Sequence, residues 1–427
     1  MVKTDSDRMR LATRVTIGTL NMSLRGLGLV GRFGLMLYLA RFLDFESVAV
    51  FGFVAAGVAI VPAFLNLGLH FRANRQFVGA SGLEVGRRMR DRFLLHLIIF
   101  FPIAILVVTG GSAFDYLPHV SISFIILAAI ICLCDVLLNE IHLALVSTQH
   151  PVTANIVLFF RTAIWIFPFV LLSWRFPELR TLTVVLLFWL GGQILAFAAF
   201  FVSRRKWPWS DIYRQKVEFS WLLEGFSRSF LLWLSDIGLA TGQFVDRIIL
   251  GFFLDIYSIG IYTFFWSMAA GVQQLVFTAV VQIATPHFVK AARSPDPDAL
   301  RRLLLAEMRN VFLVALVVGG AVYLGSPLLY WLAGRDTLTE FNSLFGAMLI
   351  GVTIRLVSDV VSSGVYARGY DVRLASINMS MPFISAVVTA AALAAFGFAG
   401  MGAAFIGTNL VIFAVRIWCL REDLFRR

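Results

Sequence analysis

Residues 246–266 read DRIILGFFLDIYSIGIYTFFW, in which an Asp-Arg pair precedes an apolar run and a single aspartate separates it from a second, aromatic-rich run. Both runs are apolar enough for a lipid bilayer, so this stretch predicts two adjoining transmembrane helices with charges retained beside them. The whole chain extends the pattern, because 59% of its 427 residues are hydrophobic and 14% are charged. This composition lies far from that of a soluble globular protein and predicts a polytopic membrane protein.

Twelve segments are long and apolar enough to cross a membrane as helices, each of which needs about 20 residues. They lie at 16–40, 47–70, 93–110, 119–146, 153–173, 182–202, 229–251, 256–285, 310–332, 341–364, 374–396 and 399–420. The predicted fold class is therefore an all-α polytopic membrane protein with 12 transmembrane helices.

The 36 lysines and arginines are distributed unevenly about these spans. With a cytoplasmic N-terminus, 26 of them fall in cytoplasmic segments, including RRMRDR at 87–92, while four fall in outer loops and six inside the spans. Basic loops are retained in the cytoplasm, so we expect both termini there. The net charge of +11 then reflects membrane topology, and no nucleic-acid partner is expected.

The chain contains an internal repeat. FLDFESVAVF at 42–51 and FLDIYSIGIY at 253–262 share Phe-Leu-Asp, a serine three residues later and an aromatic residue four beyond that. Farther along, MRDRFL at 89–94 resembles MRNVFL at 308–313. These matches occur in order and on corresponding helices, so the first helices of each half are predicted to be related.

Both halves begin on the cytoplasmic side, so the repeat is parallel, with a pseudo-two-fold axis along the membrane normal. We expect two six-helix lobes around a central cavity, at 1–202 and 229–427, joined by a cytoplasmic linker at 203–228. Two such lobes are typical of an alternating-access transporter.

Two passages carry a resemblance to a known family. They are YLARFLDFESVAVFGFVAAGVAIVPAFLNLGLHFRANRQF at 38–77 and the opening stretch at 246–266. In the second, Asp-Arg, Leu-Gly and Gly-x-Tyr occur in order at Asp246, Arg247, Leu250, Gly251, Gly260 and Tyr262. With the twelve spans, these passages resemble the Wzx-type polysaccharide flippases of the multidrug/oligosaccharidyl-lipid/polysaccharide exporter superfamily.

The resemblance implies a flippase that moves an undecaprenyl-pyrophosphate-linked oligosaccharide from the cytoplasmic to the periplasmic leaflet of a bacterial inner membrane. Such a flippase serves surface polysaccharide assembly, for example of O-antigen or exopolysaccharide. It is not an enzyme, uses no cofactor and works by alternating access through a cationic lumen. The implied partners are the lipid-linked oligosaccharide, membrane lipids, and a polysaccharide polymerase with its chain-length regulator.

Eleven arginine, aspartate and glutamate residues fall inside the predicted spans, where each costs about 2.5–3.5 kcal/mol at a helix centre. Residues retained at such a cost usually face a partner or a watery cavity. Helical spacing places Arg25 and Arg32 on one face of the first helix, and Asp236, Gln243 and Arg247 on one face of the related seventh helix. These two faces are expected to line the cavity.

Arginine side chains bind phosphate oxygens in a forked geometry, which suits a pyrophosphate head group. The candidate substrate-binding residues are Arg25, Arg32, Arg161, Arg247, Arg355 and Gln243. The first three are the strongest, because none has an acid three or four residues away. The candidates for ion coupling or ion pairs are Asp135, Glu140, Asp236, Asp246 and Asp359. The histidines and cysteines lack metal-ligand spacing, so no metal site is expected.

Structural roles compete with these assignments. Arg25 is equally compatible with snorkelling toward the cytoplasmic interface. Asp246 and Arg247 fit an anchor at a helix end better than a ligand site, and Arg355 with Asp359 fits an ion pair.

Two other functions compete with the flippase. A multidrug or organic-cation antiporter of the same superfamily shares the helical plan, but its lumen should favour acids, whereas six arginines here face five acids. A membrane glycan polymerase or ligase normally has a large outer loop, and all the outer loops predicted here are short. The chain has no G-x-x-x-x-G-K-[ST] motif, so ATP is not expected to be the direct energy source.

Overall fold

The structure is a computed structural model that describes residues 5–110, 121–296 and 298–421, with side chains from residue 23 onward. The first two residues of the span predicted at 119–146, and both extreme termini, lie outside the described residues. All regular structure in the described ranges is helical, which confirms the all-α fold class.

The chain forms two compact units. The first comprises residues 1–35 and 57–230, and the second comprises 36–56 and 231–427. The stretch 203–228 thus lies in the first unit, and the helices at Asp5–Phe42, Phe45–Leu65 and Phe219–Gly242 each contribute residues to both units.

The first ten α-helices are α1 (Asp5–Phe42), α2 (Phe45–Leu65), α3 (Leu69–Phe77), α4 (Gly82–Gly110), α5 (Ile122–Ser147), α6 (Pro151–Phe159), α7 (Ile166–Arg175), α8 (Leu182–Ser203), α9 (Trp209–Arg214) and α10 (Phe219–Gly242). The others are α11 (Val245–Phe253), α12 (Ile256–Val276), α13 (Gln282–Ala292), α14 (Ala299–Leu324), α15 (Ser326–Ala333), α16 (Asn342–Ala367), α17 (Asp371–Phe396) and α18 (Met401–Cys419). Short π-helical turns join α6 to α7 and α12 to α13.

Several helices continue one another, so the described chain runs as twelve long helical segments. These are α1, α2, α4, α5, α6 with α7, α8, α10 with α11, α12 with α13, α14 with α15, α16, α17 and α18. Each overlaps one predicted span, and the two-lobe, twelve-helix fold class is confirmed. Among the described residues, eight helical stretches meet the length and composition of a membrane span, and one of them, 371–419, comprises both α17 and α18. The chain is a multi-pass membrane protein.

The Phe-Leu-Asp repeat marks two equivalent helix starts. The Asp44 carboxylate accepts a hydrogen bond from the Ser47 backbone N–H (2.6 Å) at the start of α2. The Asp255 carboxylate accepts one from the Ser258 N–H (3.0 Å) at the start of α12. Aspartate at this position satisfies a backbone donor that the first helical turn leaves unpaired. The repeated residues are therefore N-caps.

The two repeat copies also pack against each other inside the second unit. Gly260 of α12 lies so close to the Phe45 carbonyl oxygen of α2 that a methyl group there would overlap it. The rings of Phe45 and Tyr257 meet edge to face with centroids 5.4 Å apart. Glycine at 260 is thus required by the close approach of two backbones.

Candidate functional site

The first unit contains a group of three arginines, Arg25, Arg32 and Arg161, which we call the arginine cluster. Arg161 donates two hydrogen bonds to the Asp135 carboxylate, from Nε to Oδ1 at 2.7 Å and from Nη2 to Oδ2 at 2.9 Å. Its Nη1 also donates to Asn139 Oδ1 at 3.3 Å. No acid lies three or four residues from Arg161 in the sequence, but Asp135 reaches it from another helix.

A π-helical turn at Phe160–Ile164 places Arg161 between α6 and α7. Gly192 of α8 packs against this turn, where an added methyl would lie 2.8 Å from the Phe160 carbonyl oxygen and 2.7 Å from the Trp165 ring. Extra residues in a helical turn rotate the side chains that follow, and such turns occur often at functional sites. The local geometry thus directs Arg161 toward α5.

The first helix presents its predicted face to the same region. The Arg25 Nε donates to Asn155 Oδ1 at 3.3 Å, and a methyl group on Gly28 would lie 3.6 Å from the Ala163 side chain. Arg32 lies within electrostatic range of Arg161 and Asp135. Within residues 5–110, 121–296 and 298–421, Arg32 forms no hydrogen bond or ion pair, and its side chain is exposed.

The cluster carries more positive than negative charge. Arg161 and Arg32 lie within electrostatic range of one carboxylate, that of Asp135, and Arg25 lies near His142. The His142 ring contacts the Ala154 carbonyl oxygen at 3.1 Å through Nδ1. With His142 neutral, the local sum is three positive charges less one, or two. Guanidinium groups with unused N–H donors bind phosphate oxygens. The arrangement can therefore bind a dianion.

A second charged pair in this unit is fully buried. The side chains of Arg92 (α4) and Glu140 (α5) are each 1% exposed and form a salt bridge. Near them lies His96, which is also buried. Arg92 belongs to the basic stretch 87–92 predicted to be cytoplasmic, and the structure adds that α4 begins at Gly82 and buries the Arg92 side chain against α5. Glu140 could have predicted this buried pair, because a carboxylate inside a span needs a cationic partner.

In the second unit, the predicted seventh helix is interrupted. A turn at Gln243 and Phe244 separates α10 from α11, so Asp236, Gln243 and Arg247 do not share a continuous helical face as expected. The break occurs where Gly242 packs closely against Met381 of α17. Asp236 lies on α10 and is partly buried.

Asp246 and Arg247 are both buried. The Arg247 guanidinium lies 3.8 Å from the ring centroid of Trp266 and 4.9 Å from that of Phe244. Asp246 accepts hydrogen bonds from the Tyr262 hydroxyl and the Arg247 backbone N–H. Because aromatic rings cover the guanidinium, Arg247 fits the role of an anchor at the helix end better than that of a substrate ligand.

Arg355 borders a small polar cavity. The cavity has a volume of about 20 Å³, enough for one water molecule. Its polar lining comprises Gln243, Asp246, Tyr262, Arg355, Ser385, Thr389, Thr408 and Asn409. Three sequence candidates, Gln243, Asp246 and Arg355, are thus brought together here. The hydroxyl and amide groups on α17 and α18 were missed because single polar residues are common in membrane helices.

The expected pairing of Arg355 with Asp359 is replaced by another. Asp359 Oδ1 accepts a hydrogen bond from Arg416 Nη1 of α18 at 2.8 Å, and the same Nη1 donates to Ser358 Oγ at 2.9 Å. Arg416 is 2% exposed. Arg355 lies within electrostatic range of Asp359 but forms no hydrogen bond with any described residue.

Solved structures with the same overall arrangement are transporters and a flippase. An inward-facing multidrug resistance MATE family transporter of the MOP superfamily matches with a TM-score of 0.73 and 13% identity, over 95% of this chain and 98% of that one. The lipid II flippase MurJ, in an inward closed conformation, matches with a TM-score of 0.70 and 15% identity, over 96% and 89%. The chain has the fold shared by MATE transporters and MurJ.

A mutant of a Vibrio cholerae MATE transporter also matches, with a TM-score of 0.59 and 12% identity over 96% of this chain and 98% of that one. No protein-family profile matches the sequence, and no curated protein matches it significantly. At these identities the likeness establishes the fold.

Proposed function

We propose that this protein is a flippase that moves a lipid-linked oligosaccharide, carried on undecaprenyl pyrophosphate, from the cytoplasmic to the periplasmic leaflet of a bacterial inner membrane. The observation that carries the proposal is the arginine cluster, which holds three arginines and a single carboxylate, that of Asp135. A pyrophosphate diester carries about one negative charge on each phosphate. Its charge thus complements the net positive charge of the cluster.

In this proposal the three arginines have different roles. Arg32 and Arg25 are exposed, so they bind the incoming head group first. Arg161 is held by Asp135, and a phosphate that approaches must compete with that carboxylate for its N–H groups. Such competition limits the affinity for the head group, which allows release into the other leaflet. The termini are proposed to lie in the cytoplasm, and a polymerase and chain-length regulator are proposed to receive the glycan.

A multidrug antiporter is the second candidate, favoured by the acids of the second unit. Asp236 is partly buried on α10, and Asp246 borders the polar cavity. An organic cation would bind at such carboxylates rather than at the arginine cluster. The two proposals therefore assign substrate to different units.

The test is a deletion of the gene, followed by measurement of surface polysaccharide and lipid-linked intermediates. We expect loss of surface glycan, with the intermediate held on the cytoplasmic leaflet. Wild type and Arg205→Ala, an exposed arginine outside the cluster, should restore the glycan. Arg25→Ala, Arg32→Ala and Arg161→Ala, expressed at normal levels, should not. Normal glycan with new sensitivity to cationic drugs would contradict the flippase and favour the antiporter.

A further inference from the structure

A groove of about 360 Å³ lies between the start of α17 and the end of α18 in the second unit. Its walls carry two arginines, Arg373 and Arg421, and two serines, Ser376 and Ser380. Val372 and Trp418 also line it and are 64% and 63% exposed. Large apolar side chains so exposed, beside arginines at the ends of spanning helices, are typical of the membrane interface.

Both arginines are held in place by neighbours. The Arg373 Nη1 donates to the Cys419 carbonyl oxygen at 3.2 Å, and its guanidinium lies 4.6 Å from the Tyr370 ring centroid. The Arg421 guanidinium lies 5.1 Å from the ring centroid of Trp418. In the part of the chain that the structure describes, neither arginine forms an ion pair with a carboxylate. The groove thus presents two positioned positive charges.

Ser376 and Ser380 favour a ligand that donates hydrogen bonds. The Ser376 hydroxyl donates to the Val372 carbonyl oxygen at 2.9 Å, and the Ser380 hydroxyl donates to that of Ile377 at 2.7 Å. Since each proton is already used, the two oxygens remain available as acceptors. A ligand that carries hydroxyl donors next to an anion would satisfy them.

The apolar surface continues beyond the groove along α17, where Phe383 is 73% exposed and Val387 is 69% exposed. A free inorganic anion would use the arginines and leave this surface without a partner. A lipid would use both, since its head group would meet the arginines while an acyl chain follows the helix. Basic pockets between membrane helices bind acidic lipid head groups in this way.

We propose that this groove binds an anionic phospholipid whose head group carries hydroxyls, with phosphatidylglycerol as the test case. Its phosphate contacts Arg373 and Arg421, its head-group hydroxyls donate to Ser376 and Ser380, and an acyl chain lies along α17. This site is separate from the arginine cluster and from the transported substrate.

The test is native mass spectrometry of the full chain, purified with equal amounts of phosphatidylglycerol and phosphatidylcholine. Wild type should retain one phosphatidylglycerol, and Arg373→Ala with Arg421→Ala should weaken its binding at least about tenfold. Two exposed arginines of the first unit serve as the matched control, and Arg205→Ala with Arg214→Ala should bind as wild type does. Equal binding by the groove variant and the control would overturn the proposal.

Two further arms test the site: Val372→Glu tests its position, and competition with inorganic phosphate distinguishes a bound phospholipid from a bound inorganic anion. Val372→Glu leaves both arginines unchanged and places a negative charge at the rim, so it should abolish retention of phosphatidylglycerol without loss of folding. Inorganic phosphate should fail to displace the lipid. Displacement by phosphate alone, equal retention of phosphatidylcholine, or full retention by a folded Val372→Glu variant would each contradict the proposed lipid site.

Discussion

Charges within the helical segments are compensated to different degrees. The buried Arg92 has Glu140, and Arg416 has Asp359, each through a direct ion pair. Arg32, by contrast, makes no ion pair or hydrogen bond among the described residues. Since removing one partner of a buried pair leaves an uncompensated charge, the paired residues should matter for stability. The unpaired arginine should matter for binding.

Glu140→Gln should destabilise the protein strongly, by about 3–5 kcal/mol, because it leaves the Arg92 charge buried without a counter-charge. Unfolding of the purified protein in detergent would measure the loss. Replacing both members, as Arg92→Met with Glu140→Leu, should recover most of it, since both charges are removed together. If Glu140→Gln were as stable as wild type, the Arg92–Glu140 pair would not be required for stability.

Asp135→Asn should strengthen the binding of a pyrophosphate analogue such as methylene bisphosphonate several-fold, because it releases Arg161 from a competing carboxylate. Calorimetric titration of the purified protein would measure the affinity. Asp359→Asn, which frees an arginine in the second unit, is the matched control and should leave the affinity unchanged. Unchanged or weaker binding by Asp135→Asn would place the head group elsewhere.

The sequence predicted part of this site. The face shared by Arg25 and Arg32 followed from helical spacing, and α1 is continuous there. The partner of Arg161 did not follow, because Asp135 lies 26 residues away and pairs with it only through helix packing. The face assigned to the seventh helix failed because a two-residue turn at Gln243 interrupts the period on which that inference depended.

At the scale of elements, the repeated motif joins α2 to α12 through capped helix starts and one close contact. Gly260→Ala should lower stability by about 1–3 kcal/mol or more, because the added methyl overlaps the Phe45 carbonyl oxygen. Gly251→Ala is the matched control, since no atom lies within 4 Å of its added methyl, and alanine should hold or raise stability there. Thermal unfolding of the two variants checks this, and equal melting temperatures would contradict the contact.

The basic start of α4 holds the stretch before α10 in place. The Arg88 Nη1 donates to the Glu218 carboxylate at 2.6 Å, and its guanidinium lies 4.5 Å from the Trp221 ring centroid. Arg90 donates to the Gln215 carbonyl oxygen at 2.7 Å. These contacts bind the linker predicted at 203–228 to the start of α4, within the first unit. They lie outside the spanning segments.

The hydrogen bond from Arg88 lowers the pKa of Glu218 below its ordinary value. A carboxylate whose pKa is lower in the folded state stabilises that state above its unfolded pKa, and this contribution is lost as pH falls through the folded pKa. The protection of residues 203–222 from hydrogen exchange, measured relative to their intrinsic exchange rates at each pH, should therefore decrease in acid. Glu218→Gln should exchange faster at neutral pH and lose this pH dependence, whereas a Glu218→Gln profile identical to wild type would exclude the mechanism.

At the scale of the whole molecule, the sequence predicted the class, the twelve segments and the two halves, because apolar length and basic loops are strong signals. It did not predict that residues 36–56 belong with the second unit. That assignment depends on contacts such as Arg335 to the carbonyl oxygens of Ala40 and Leu43, at 3.0 and 2.9 Å. Backbone acceptors of this kind leave no pattern in the sequence.

The most direct test of the proposed flippase is transport by the purified protein in proteoliposomes that contain fluorescent undecaprenyl-pyrophosphate-linked oligosaccharide. A membrane-impermeant quencher reports how much label reaches the outer leaflet. Wild type should make inner-leaflet label accessible, Arg205→Ala should match it, and Arg32→Gln should match protein-free vesicles. Wild type that leaves inner-leaflet label protected, while it transports an organic cation in the same vesicles, would contradict the account.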